Sequence, residues 1–76
     1  MKVEIIKLIK ILGVSYNEIV IEIDLSEFKI NTIELVDDDV VVHIFSHGMD
    51  TEVLFDDLLE IDQTHIYREL SSLVYN

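Results

Sequence analysis

The chain has no cysteine, no proline and no tryptophan, and only two glycines. Without cysteine there is no disulfide, no thiolate metal site and no cysteine nucleophile. Small secreted domains are often stapled by disulfides, so their absence favours the cytoplasm. Two glycines cannot build a glycine-rich phosphate loop, and neither a G-x-S-x-G elbow nor an H-E-x-x-H pair occurs. No apolar run approaches the ~20 residues that a membrane span needs. In the opening stretch MKVEIIKLIKILG, Lys7 and Lys10 interrupt any apolar segment and Glu4 is out of place, so it does not read as a signal peptide. Low-complexity tracts, repeats and linker-like composition are also missing, so residues 1–76 read as a single α+β domain.

Basic residues are scarce. Five lysines and arginines face sixteen acids, for a net charge of −11. Three of the five lie in the first ten residues. From Ile11 onward fifteen acids stand against Lys29 and Arg68, which is −13. Such a chain repels nucleic acid and anionic membrane. Direct nucleic-acid binding and membrane binding are not expected. A protein partner with a basic surface is electrostatically suited to it.

Half of the residues are hydrophobic. That compensates for a length at which only about 60% of the unfolded surface is buried. Typical per-residue values give a net stability of about 4–11 kcal/mol.

Ile5, Leu8, Ile9 and Leu12 recur at helical spacing and predict a helix over 2–12. Ile6 and Ile11 widen the stripe, which leaves a strand as the competing assignment for part of it. Gly13 supplies a stop through the left-handed conformation. In EIVIEIDL the residues Ile19, Ile21, Ile23 and Leu25 alternate with polar ones and Val20, which predicts a half-buried strand. The stretch from Asn31 to Phe55 reads as two hairpins. A turn at Asp38-Asp39 sets Leu35 opposite Val42 and Ile33 opposite Ile44. A type II′ turn at Gly48-Met49 sets Ile44 opposite Val53 and Val42 opposite Phe55. Ile21 and Ile23 join this face opposite Leu35 and Ile33, after a loop near residues 26–30.

FDDLLE predicts a short helical turn. A closing helix then starts from Asp62 as N-cap, with Ile61 and Ile66 as a hydrophobic staple. Its buried stripe is Ile66, Leu70 and Leu73, widened by Tyr67 and Val74. The expected fold is an α+β two-layer sandwich of order α-β-β-β-β-α. A four-stranded antiparallel meander carries both helices on one face.

The stretch HIFSHGMD (43–50) holds three metal-ligand residue types, His43, His47 and Asp50. His-x-x-x-His chelates on a helix, where both rings share a face. Along a strand the two rings start about 13 Å apart, so no metal site is expected there. A His47–Asp50 surface pair across the turn is the simpler expectation. The acidic runs at 37–39 and 55–62 lack the ligand alternation of a calcium loop. They fit a hairpin turn and a helix N-terminus.

The outer sheet face holds two further candidates. One is an ion-pair row of Glu22, Glu34 and His43, in which an imidazolium would relieve the repulsion of the two carboxylates. The other is a binding surface made by Val20, Val36, Val41, His43, Phe45 and Leu54, which no remaining element covers.

The function expected first is a small acidic protein-interaction module, docking as a homodimer or on a partner protein. Next comes an acidic mimic of nucleic acid that inhibits a DNA- or RNA-handling protein. The third is an enzyme or pH sensor built on His43 and Glu34. With little room for a deep pocket, no catalytic residue is assigned and no cofactor is expected.

Overall fold

A helical period at each end and a period of two between them resolve into two layers. The computed structural model describes residues 1–13 and 17–75. Its elements are helix α1 (Lys2–Leu12), strands β1 (Glu18–Asp24), β2 (Lys29–Val36), β3 (Asp39–Ser46) and β4 (Met49–Leu54), a 3-10 turn at Phe55–Asp57, and helix α2 (Glu60–Tyr75). The strands form one antiparallel sheet in the order β1-β2-β3-β4, as the sequence pattern predicts. Ile5, Leu8 and Ile9 of α1 share one buried cluster with Ile66 and Leu70 of α2, with Phe55, and with the inward side chains of β1, β2 and β3. Each such side chain contributes about 1.5–3 kcal/mol on burial. Helix α1 lies against β1, β2 and β3, and α2 lies against α1. On β4 the inward-facing Val53 packs against this buried cluster, while the inward-facing Thr51 is exposed.

Gly13 ends α1, but not in the left-handed conformation. Its φ is −95° and ψ is 42°, and its amide donates to the Ile9 carbonyl at 2.7 Å. The requirement for glycine is space. A Cβ there would lie 2.7 Å from both the nitrogen and the oxygen of Glu18. The start of β1 crosses directly over the helix end.

Both hairpin turns sit one residue earlier than the sequence pattern suggests. Val36 opposes Asp39, so Asp37-Asp38 forms the first loop, with Asp37 at φ 55°. Ser46 opposes Met49, so His47-Gly48 forms the second. His47 at φ 53° and Gly48 at φ 78° give the two positive values of a type I′ turn, whose twist matches that of the strands. Each register therefore slips by two. Leu35 opposes Val40, Ile33 opposes Val42, and Val42 opposes Val53. A slip of two keeps every side chain on its expected face.

Strand β2 also starts earlier than expected, at Lys29. A tight turn closes the β1–β2 connection, in which the Leu25 amide donates to the Phe28 carbonyl at 2.9 Å. Ile30 and Ile33 are both fully buried although three residues apart. The pairing shifts between Ile30 and Thr32 make this possible, because Asn31 is an extra residue against β3. A matching shift between Val20 and Ile23 places Ile23 opposite Ile30 and Ile19 opposite Ile33.

Helix α2 begins at Glu60, so Asp62 lies in its first turn and is not the N-cap. The amides of Asp62 and Gln63 both donate to the Leu59 carbonyl at 3.0 Å. Ile61 is 73% exposed, so the staple with the buried Ile66 does not form. Leu73 is exposed as well, and the buried stripe narrows to Ile66 and Leu70, flanked by half-buried Tyr67 and Val74. Asp62 itself is buried. Ser26 Oγ donates to its carboxylate from 3.4 Å, which ties the β1–β2 turn to the second helix. Phe55 does not extend β4 opposite Val42. It turns inward from the 3-10 segment and is fully buried.

Candidate site on the outer sheet face

Cross-strand pairing defines what the outer face carries. Glu18, Glu34, Val41 and Leu54 form one row across the four strands. Val20, Thr32, His43 and Glu52 form the next, and Asp24, Lys29, Phe45 and Asp50 the third. Paired residues project to the same side of a sheet, so these side chains share the face away from the helices.

The expected row Glu22–Glu34–His43 needs correction at its first member. Slippage of β1 against β2 sets Glu18, not Glu22, opposite Glu34. Glu22 pairs instead with Lys29 Nζ at 3.8 Å, and Lys29 also reaches Asp24 at 3.7 Å. His43 opposes Thr32, yet its Nε2 reaches diagonally to Glu34 Oε1 at 2.7 Å. On the other side Nδ1 lies 3.7 Å from Oε1 of Glu52, the residue directly opposite on β4. His43 and Glu34 are each 27% exposed, and Glu52 is 67% exposed. The ring thus sits between two carboxylates, one in hydrogen-bond contact and one just beyond it. A neutral ring donates from one nitrogen only, whereas an imidazolium can donate towards both carboxylates.

The HIFSHGMD histidines are not brought together. His43 is in the middle of β3, and His47 is in the turn that follows it. Asp50 does not oppose His47. It pairs across the strands with Phe45 and accepts a hydrogen bond from Asn31 Nδ2 at 3.3 Å. Among the described residues, Glu34, His43 and Glu52 form the group whose metal-ligand atoms all lie within 4.8 Å of one another. Glu52 escapes the sequence pattern because the expected register places it opposite Phe45.

All six residues of the expected binding surface lie on the outer face. Val20 is 79% exposed and Phe45 47%, Val36 and Leu54 are also exposed, and Val41 and His43 are half-buried. They do not form one continuous patch. Val41 and Leu54 are opposite neighbours, with Val36 diagonal to Val41. The carboxylate–imidazole group separates this corner from Phe45, and Val20 stands on the edge strand beside Thr32.

One groove lies in the other layer. It has about 250 Å³ between α1 and α2, lined by Glu4, Lys7, Leu8, Ile11, Tyr67 and Tyr75. That is smaller than the ~300 Å³ at which ligand pockets begin. It contains none of the outer-face cluster. No described helix is long and apolar enough to cross a membrane. Compared with family models, curated proteins and solved structures, the chain matches none.

Proposed function

We propose that the protein is an acidic interaction module that docks through the outer face of its sheet onto a basic, partly apolar protein surface. The observation that carries this reading is the uncovered face itself. Both helices are committed to the opposite side, which leaves Phe45, Leu54, Val36 and Val20 in water. Exposed apolar side chains spread over one uncovered sheet face suit burial against a partner.

Charge favours the kind of partner. The three outer rows hold Glu18, Glu34, Glu52, Asp24 and Asp50, against Lys29 as their one lysine. Two copies meeting face to face would set carboxylate against carboxylate. A basic surface would instead be complementary and would be steered in quickly at low salt. The Val36, Val41 and Leu54 corner and Phe45 would supply contact area, and the acidic cluster between them would supply orientation.

The test compares wild type with Phe45→Glu and with Val3→Glu, an exposed position on α1. Light scattering during size exclusion gives the oligomeric state, and capture from lysate at low and high salt gives partners. The reading expects a monomer whose partner is lost with Phe45→Glu and kept with Val3→Glu. A wild-type dimer that Phe45→Glu dissociates would replace the basic partner with a second copy. Capture displaced by added DNA would point to mimicry of nucleic acid. Equal capture by wild type and Phe45→Glu would overturn docking through this face.

A further inference from the structure

We propose that Glu34, His43 and Glu52 form a binding site for a divalent transition-metal ion of the zinc class. The donors are one imidazole nitrogen and two carboxylate oxygens, carried by adjacent strands β2, β3 and β4. Imidazole with carboxylate suits zinc and its neighbours in the first row. Magnesium and calcium prefer all-oxygen shells of six or more ligands.

Distances fit such an ion. Zinc lies about 2.0–2.2 Å from nitrogen and oxygen ligands, which in a tetrahedron holds the donors about 3.3 Å apart. The His43 Nε2 to Glu34 contact of 2.7 Å opens slightly to admit it. Glu52 is the exposed member of the three, with its carboxylate 3.7 Å from the other ring nitrogen. It is the arm that swings in. Because the three ligand atoms already lie within 4.8 Å of one another, side-chain rotation suffices and the strands need not move. Half-burial of His43 and Glu34 on paired strands orders two of the three donors in advance.

The surrounding charge independently calls for a cation. Glu18 stands directly opposite Glu34, and like charges in that position are unfavourable. Among the described residues no lysine or arginine pairs with Glu18, Glu34 or Glu52. Lys29 is engaged by Glu22 and Asp24 at the other end of the face. A dication held by the His43 ring, Glu34 and the swung-in Glu52 neutralises this excess. Three protein donors leave a fourth position open to water, as in zinc sites that exchange a ligand. The site does not depend on whether the outer face docks a protein.

The experiment titrates the tag-free full chain with zinc chloride, by calorimetry and by NMR of the histidine ring nitrogens. The expected result is one equivalent bound, with a ring-nitrogen shift at His43 and none at His47 or His65. His43→Gln should weaken binding about tenfold or more. Glu52→Gln, at an exposed position, should weaken it with the circular dichroism spectrum unchanged. His65→Gln should leave binding intact, and a large excess of magnesium should not displace zinc. Zinc affinity unchanged in His43→Gln, or a His43 ring that does not respond to millimolar zinc, would overturn the assignment. So would ready displacement by magnesium, the mark of a loose carboxylate cluster.

Discussion

Replacing Gly13 with alanine sets two opposed effects against each other. Alanine restricts the unfolded chain, which alone would stabilise the fold by about 0.4–1 kcal/mol. The backbone at φ −95° accepts alanine without strain. The added Cβ, however, meets the nitrogen and oxygen of Glu18 at 2.7 Å and the Ile9 carbonyl at 3.0 Å. All three are backbone atoms, so no side chain can rotate away. Overpacking of this kind costs about 1–3 kcal/mol. The clash wins, and the expected net loss is about 1–2 kcal/mol. In a domain of this size that lowers the melting temperature by about 4–16 °C.

Gly13→Asn separates the two possible roles of the glycine. At a left-handed helix stop asparagine is the best substitute. Against a spatial limit it has a Cβ like any other residue and should be no better than alanine. Thermal and urea unfolding followed by circular dichroism measure both variants. A Gly13→Ala variant as stable as wild type, or Gly13→Asn well above Gly13→Ala, would refute the spatial argument.

Two phenylalanines ten residues apart should behave oppositely. Phe55→Ala, at a fully buried position, should cost about 3–5 kcal/mol, much of the stability expected for the chain. Phe45→Ala should cost under about 1 kcal/mol, and urea midpoints for the pair compare them directly. Ser26→Ala removes the hydroxyl that donates to the buried Asp62 from 3.4 Å. At that length the loss should fall near the lower end of the usual range, about 1 kcal/mol by urea unfolding. Lys2 reaches Asp56 at 3.3 Å and Asp39 at 3.6 Å, and those carboxylates, Asp56 foremost, raise its pKa above the ordinary 10.5. A raised pKa means the contribution is present below 10.5 and is lost as pH climbs through the higher folded value. Melting curves of wild type and Lys2→Gln should therefore differ at neutral pH and converge at strongly alkaline pH. A gap that persists there would refute the assignment.

Layer order was legible because local periodicity is independent of how strands pair. Ile5, Leu8, Ile9 and Leu12 define a helical stripe, and Ile19, Ile21 and Ile23 define one face of a strand, whatever stands beside them. The residues that confounded the sequence pattern each satisfy two rules at once. Asp62 is a good N-cap and also a good first-turn acid, and burial against Ser26 decides between them. Gly13 suits a left-handed stop and also a close approach, and the crossing of Glu18 decides. A visible signal existed for the irregularity at Asn31, since Ile30 and Ile33 lie three apart in a segment of period two. That spacing requires an extra residue if both are to be buried.

Register is a different matter, and the candidate site depends on it. Moving a hairpin by two residues leaves every inward side chain inward, so the apolar pattern is blind to the choice. The turns decide it through Asp37, His47 and Gly48, all at positive φ. The fold survives either register, but the outer-face chemistry does not. With the turn at Gly48-Met49, Glu52 would face Phe45, and His43 would face Leu54. With the turn at His47-Gly48, Glu52 faces His43 and Leu54 faces Val41. The same slip on the other side replaces a direct Glu34–His43 pairing with a diagonal contact, which still closes to 2.7 Å because both side chains are long. A shift of two moves a donor about 7 Å along its strand, far beyond the reach of one metal ion. The three donors therefore converge only in the register with the turn at His47-Gly48. A cross-strand NOE between His43 and Glu52 tests that register without any metal, and an NOE from His43 to Leu54 in its place would remove both the pairing and the site.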